Sequence, residues 1–205
     1  MNNSTLTTKE TVDKTIVALK ERGVQAMFVQ SRADALEKVK SLIPVGASVM
    51  NGSSRTLEEI GFVEYLKSGN HGWNNLHANI LAEKDPTKQA MLRKEAVLSD
   101  FYLGSVHAVA ETGEFVIASN SGSQLGHITF TSPNIIFIVG AQKIASGLDS
   151  AIKRVREYVL PLEDERMKSA GMDGSFISKL LIFEKEQPFM KRNVQMIFVN
   201  EKLGF

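Results

Sequence analysis

Along residues 100–143 the spacing of apolar positions changes from one run to the next. Val106, Ala108 and Ala110 alternate with His107, Val109 and Glu111, and beyond Thr112-Gly113 the positions Phe115 and Ile117 alternate with Val116 and Ala118. A period of two on either side of a tight turn predicts a β-hairpin, with Gly113 supplying the positive φ of the turn. Residues 134–140, Asn-Ile-Ile-Phe-Ile-Val-Gly, are almost continuously apolar. That is the pattern of a parallel strand covered on both faces.

Elsewhere the period is helical. Thr7 with Glu10 forms a capping-box pattern ahead of Val12, Ile16 and Leu19, and Gly23 closes this N-terminal helix. A strand over 24–30 follows, then a second helix opened by Ser31 and Asp34, carrying Leu36, Val39 and Leu42 and ended by Pro44. Residues 47–50 predict a strand that runs through 51–56 into a helix bearing Leu57, Ile60 and Phe62. Residues 67–77 hold the only tryptophan amid Gly, Asn and His and read as a loop, either a lid or, more in keeping with a large aromatic, a segment with Trp73 packed inward. Asp85-Pro86 opens a long helix with Met91, Val97 and Leu98 facing inward. Ser146 and Asp149 cap another, carrying Leu148, Ile152, Val155 and Val159 and stopped by Pro161, with Lys153, Arg154 and Arg156 as a solvated basic face. Residues 178–186 and 193–201 read as a closing pair of strands. This alternation predicts an α/β fold in three layers, α/β/α, with a largely parallel central sheet plus the β-hairpin.

The chain has 205 residues without a Pro- or Gly-rich linker, which predicts one domain over 1–205 with residues 1–23 packed on it as a helix. Its hydrophobic fraction of 43%, charged fraction of 23% and net charge of +1 are those of an ordinary globule. Nothing there draws it to nucleic acid or to an anionic membrane. The absence of cysteine removes disulfides, thiolate nucleophiles and the usual ligands of iron–sulfur clusters. The first twenty residues lack a signal-peptide core and no window approaches ~20 apolar residues, so a cytoplasmic location is the default expectation. The histidines at 71, 77, 107 and 127 show no ligand spacing, so no metal is expected, and no nucleophile elbow, phosphate-loop or dinucleotide fingerprint is present. No cofactor is implied.

Candidate chemistry gathers at a few places. Gly52, Ser53, Ser54, Arg55 and Thr56 lie between a strand and a helix N-terminus, where backbone N–H groups, hydroxyls and a guanidinium suit an anion. Ser54 or Thr56, the latter with Glu59, serves equally well as a plain helix cap. Glu111 is the best general-base candidate, with a solvated hairpin carboxylate beside Glu114 as the alternative. His107 shares its strand face and reads either as a proton-handling group or as a hydrogen-bonded structural histidine. Gly122, Ser123 and Gln124 open a further helix, and Lys143 follows the buried strand, either at the ligand edge of the sheet or on the surface.

Ala110-Glu111-Thr112-Gly113-Glu114-Phe115, Gly122-Ser123-Gln124, Ser132-Pro133-Asn134 and Val139-Gly140-Ala141-Gln142-Lys143 occur in that order. With residues 51–61 and 198–205 they make the chain resemble the LUD-domain family, which includes the lactate utilisation protein C type. The resemblance implies the fold of ribose-phosphate isomerases, glucosamine-phosphate deaminases and coenzyme A transferases. It also implies a phosphate-loop-like segment at Gly52, Ser54 and Thr56, and a family hallmark at Glu111, Thr112 and Gly113. The chain departs from the family at Gly122-Ser123-Gln124, where many members read Gly-Asn-Arg. The implied function is that of a non-cluster component of a system oxidising L-lactate to pyruvate, with separate iron–sulfur subunits as partners. The alternatives are a stand-alone enzyme acting on a phosphorylated sugar, a folate or a coenzyme A ester, and an assembly protein whose pocket is vestigial. Whether the chain is an enzyme by itself stays open. An anionic small molecule is the expected ligand, and a homodimer is compatible with the fold class by analogy.

Overall fold

The computed structural model describes residues 3–205; Met1 and Asn2, the first two of the twenty residues that lack a signal-peptide core, lie outside them. In chain order the strands are β1 (Gln25–Val29), β2 (Ser48–Asn51), β3 (Asn74–Asn75), β4 (Phe101–Gly104), β5 (Ala108–Ala110), β6 (Phe115–Ser119), β7 (Asn134–Gly140), β8 (Ile144–Ala145), β9 (Lys179–Phe183) and β10 (Asn193–Val199). The helices are α1 (Lys9–Glu21), α2 (Arg32–Leu42), α3 (Arg55–Glu59), α4 (Phe62–Ser68), α5 (Leu76–Ala82), α6 (Pro86–Glu95), α7 (Leu148–Arg154) and α8 (Leu160–Ser169).

Six strands form the expected parallel central sheet in the order β1-β10-β7-β4-β2-β3. β7 lies inside it, and its continuous apolar run divides between two cores. Ile135, Phe137 and Val139 face one side, with Val12 and Leu19 of α1. Ile136 and Ile138 face the other, with Ala35 and Val39 of α2, Leu57 of α3 and Phe62 of α4. Helices thus cover the sheet as its two-sided apolar strands require.

The hairpin forms as expected, Ala108 opposite Val116 and Val109 opposite Phe115, but as part of a second sheet, β8-β5-β6-β9. One face of that sheet, through Val109, Phe115 and Ile117, packs on the central sheet. The other, through Ala108 and Val116, is covered by Ala151 and Val155. The two C-terminal strands expected to pair with one another do not. β9 runs antiparallel to β6 in the small sheet, whereas β10 inserts between β1 and β7 in the large one. Strand period sets which face a residue takes, not which neighbour the strand finds.

Several helix boundaries also differ from expectation. Thr8, not Thr7, caps α1 by accepting from Thr11 N–H, while the Ser31–Asp34 capping box forms as read. Gly147 stands at the N-cap of α7 with no side-chain cap, so Ser146 does not play that part. Pro161 does not end this helix. A π-helical turn at Val155–Val159 passes the Leu160 N–H back to Val155 O, so the chain has already left the regular pattern where proline has no N–H to give, and α8 continues. Asp85 caps α6 with Pro86 in its first turn, yet α6 buries nothing, and Met91 and Leu98 are exposed at 60% and 74%. Trp73 is buried, stacked on Phe62 and His71, and donates Nε1–H to Ile43 O, so the tryptophan of 67–77 packs inward, while Gly69, Asn70 and Gly72 around it are exposed. No helix among the described residues is long and apolar enough to cross a membrane.

Phe137 is fully buried between Phe115 and the rest of the inner core. Phe137→Ala is expected to cost about 3–5 kcal/mol in urea unfolding. Phe189→Ala, at a ring 76% exposed, is expected to stay within about 0.5 kcal/mol.

Candidate functional site

In an open parallel sheet the segments leaving the carboxyl ends of neighbouring strands converge, and ligands bind where they meet. Here a cavity of about 260 Å³ lies at that edge. Gly52 to Thr56 follow β2, Ser105 to His107 follow β4, Lys143 follows β7, and Gly204 and Phe205 follow β10. The small sheet adds Ala118 to Ser121, with Ser123 and Gln124 beyond it, and Val155, Val159, Leu160, Glu163 and Arg166 form a wall from the helical segment that contains the π turn.

Lys143 is the buried centre of this edge, 3% exposed. Its Nζ donates to Thr56 Oγ1 at 3.1 Å, Ser105 Oγ at 3.1 Å and Val106 O at 3.2 Å. Burial, with the nearby Arg154 guanidinium, pushes its pKa down to about 7, offset in part by Glu59. No carboxylate lies within ion-pair distance of Nζ among the described residues. The other cations on the cavity are matched: Arg55 pairs with Glu58 at 3.2 Å and Glu59 at 3.1 Å, and Arg166 makes a two-pronged pair with Glu163.

The 51–56 segment follows from its side chains. Ser54 is the helix cap, accepting from Leu57 N–H at 3.3 Å, and Thr56 is therefore released from capping and turned inward, 1% exposed, onto Lys143. Gly52 is held to glycine by close approach, since a Cβ there would lie 2.5 Å from the Tyr102 hydroxyl. Tyr102 in turn donates to Gln124 Oε1 at 3.4 Å, and Gln124 donates to Ala118 O at 3.1 Å. Gly204 closes the edge from above, where a Cβ would come within 2.5 Å of Thr56 Oγ1 and 3.2 Å of Lys143 Nζ. Its N–H donates to Glu59 Oε2 at 2.7 Å.

His107 lines the cavity, and Ala118 N–H donates to its Nδ1 at 3.1 Å. Burial, then the charges of Lys143 and Arg154, pull its pKa down to about 3, so the ring is neutral at ordinary pH. Arg154, expected on a solvated face, is 3% exposed instead; its guanidinium donates to the backbone oxygens of His107, Phe205 and Asn3, and its Nε has no partner. Burial lowers its pKa to about 10, which leaves it charged. Two cations thus sit beneath this edge.

Of the residues singled out from sequence, Gly52, Ser53, Ser54, Arg55, Thr56, His107, Ser123, Gln124 and Lys143 come together at the cavity. Glu111, Gly113 and Gly122 do not line it. The turn that holds Glu111 and Gly113 lies against α1: Arg22 donates Nε–H to Thr112 O at 2.7 Å and pairs with Glu114, and a Cβ at Gly113 would come 2.9 Å from the Ala18 backbone. Glu111 lies near Lys14 of the same helix. This turn is thereby a docking point for the N-terminal helix. Gly122 packs against the Lys179 side chain. The described residues contain no cluster of three or more His, Asp or Glu arranged to hold a metal. Tyr102 and Ser105 belong to the site without having been singled out, because β4 and the residues after it carry no motif beyond a short apolar run and a lone polar residue; Arg166, on α8, and Phe205, within the 198–205 stretch, join it as well.

His127, buried against Tyr102 and bonded through Nδ1 to Ser99 and Ser132, is likewise held neutral, its pKa lowered by burial to about 4. Both imidazoles have folded pKa values below the unfolded one, so the unfolded chain binds more protons as pH drops from the usual 6.5 toward 4. Stability is therefore expected to fall across that window, by roughly a few kcal/mol in all. Thermal melts from neutral pH downward should show that slope, and His107→Asn should flatten it.

A family model for the LUD domain matches residues 12–178. A search of curated proteins found no match. Among solved structures, a DUF162 family protein from Deinococcus radiodurans is similar in fold, with a TM-score of 0.58 at 12% identity over 96% of this chain and 100% of that one. The family match takes in β1 to β8 and the cavity residues from Gly52 to Arg166, and on it this chain belongs to the LUD-domain family, a family associated with lactate utilisation.

Proposed function

We propose that this protein binds a small carboxylic acid of the lactate and pyruvate class at Lys143, whose Nζ, with all three hydrogens engaged, would exchange its bond to Ser105 Oγ for the carboxylate, as the non-cluster component of a system that oxidises L-lactate to pyruvate. The observation that carries the reading is the buried ammonium without a carboxylate partner, in a cavity whose remaining arginines are already paired. Burying a charge costs several kcal/mol unless a counter-charge meets it, so a site built this way gains most from a ligand bearing one negative charge. A coenzyme A ester would bring more charge than Lys143 and Arg154 together balance, and Arg154 is turned to backbone oxygens, which leaves Lys143 as the cation that meets the ligand. The methyl end of such an acid has an apolar wall in Val155, Val159 and Leu160. Membership of the LUD-domain family supports the pathway, and a chain without cysteine leaves cluster ligation to separate iron–sulfur subunits, the partners proposed here.

A second reading, a stand-alone enzyme, is favoured by one feature. An amine with a pKa of about 7 exchanges its proton readily at neutral pH and can serve as acid or base without a partner chain.

The test is a thermal-shift titration of the protein and of Lys143→Met with lactate, pyruvate, ribose 5-phosphate and acetyl-coenzyme A. At about a hundredfold its dissociation constant a ligand stabilises by ~2.7 kcal/mol. Lactate or pyruvate is expected to give this shift in the natural protein and none in Lys143→Met. Stabilisation by the phosphates alone would contradict the carboxylate reading. Lactate oxidation is expected only after the cluster-bearing subunits are added; turnover by the isolated chain would favour the second reading.

A further inference from the structure

The imidazole of His107 has a fixed tautomer. Its Nδ1 accepts a hydrogen bond from Ala118 N–H at 3.1 Å, which only an unprotonated nitrogen can do. The ring hydrogen is therefore on Nε2, and Nε2 has no hydrogen-bond partner among the described residues although the ring lines the cavity. The backbone on which it stands is clamped: Val106 O accepts from Lys143 Nζ, His107 N–H donates to Val116 O at 3.0 Å, and His107 O accepts from Arg154. The two charged groups that act on the ring, Lys143 and Arg154, are both cations and disfavour a second proton on it. A neutral, immobile N–H donor beside an unmatched ammonium recognises an anion that carries a further oxygen close to its charge.

We propose that His107 presents Nε2–H to the oxygen on the 2-carbon of the bound acid while Lys143 holds its carboxylate, so that the cavity selects 2-hydroxy and 2-oxo acids over plain carboxylates. The assignment rests on the reading of Lys143 as the carboxylate site and adds a specificity-determining residue to it. It also removes His107 from consideration as a general base, because a nitrogen occupied by a backbone N–H has no lone pair to offer and the other already carries its proton.

The discriminating ligand is propionate, which has the carboxylate and the methyl end of lactate but no oxygen on the 2-carbon. Its affinity for the natural protein is expected to be about tenfold below that of lactate or pyruvate. The variant His107→Asn retains an acceptor for Ala118 N–H, because its Oδ1 takes the place of Nδ1, but has nothing at the Nε2 position. It is expected to bind all three acids at the propionate level, while Lys143→Met weakens all three together. Equal binding of propionate and lactate by the natural protein, or an unchanged preference in His107→Asn, would overturn the role of His107 and leave the Lys143 site standing. Failure of all three acids to bind the natural protein would overturn both. Imidazole ¹⁵N spectra of the unsubstituted protein give an answer even if the variant does not fold. A neutral Nε2–H ring between about pH 5 and 8, shifted by lactate and not by propionate, is expected; an imidazolium at neutral pH would refute the assignment.

Discussion

Lys143 keeps an ammonium group inside the protein with two hydroxyls and one peptide oxygen around it and no carboxylate in contact. The displacement of its pKa from 10.5 to about 7 corresponds to a cost of the order of 5 kcal/mol for the charged form. Its folded pKa lies below the unfolded one, so that cost is fully present below about pH 7 and is relieved as pH rises toward 10.5. Much of the local architecture follows from holding this one group: the cap at Ser54 frees Thr56 to face it, and the glycine at 204 allows the last strand's extension to close over it.

The fold brings the partners together by topology. Segments after β2, β4, β7 and β10 leave the same edge of one parallel sheet, so residues far apart in sequence, Thr56, Ser105, Lys143 and Gly204, become neighbours. The second sheet completes the enclosure. Because β5 follows β4 after three residues, it carries His107 from the central sheet to the hairpin, and the donor to its ring comes from the opposite strand at Ala118. α7 then locks that junction from outside through Arg154.

Much of this was legible in the chain. The uninterrupted apolar run at 134–140 named the central strand, and the alternation around Thr112-Gly113 named the hairpin, because in both cases burial on one or two faces writes directly into residue period. The segment 52–56 and Lys143 could be placed because they follow strands, and strand ends are where such sheets bind. What stayed hidden has physical causes as well. β4 is only Phe-Tyr-Leu-Gly, too short to show a period, so nothing in the residue pattern marks Tyr102 or Ser105. Arg154 sits among charged neighbours on its helix, and only its packing against the backbone of His107 distinguishes it from Lys153, which is exposed and pairs with Glu157. Glu111 reads in sequence either as a general base or as a solvated hairpin carboxylate, because a carboxylate in a conspicuous turn carries no mark of which end of the hairpin faces the sheet edge. β9 and β10 read as partners because adjacency in sequence is the only pairing signal a strand pattern contains.

Lys143 as a buried cation that an anion would match is the feature on which the proposed function rests, and its ionisation can be measured directly. Titration of the lysine Cε and Nζ resonances by NMR, with Lys143→Met to assign the signal, should give a pKa of about 7 in the free protein, rising when lactate or pyruvate is added. A free-protein pKa near the ordinary 10.5, indifferent to either acid, would contradict it.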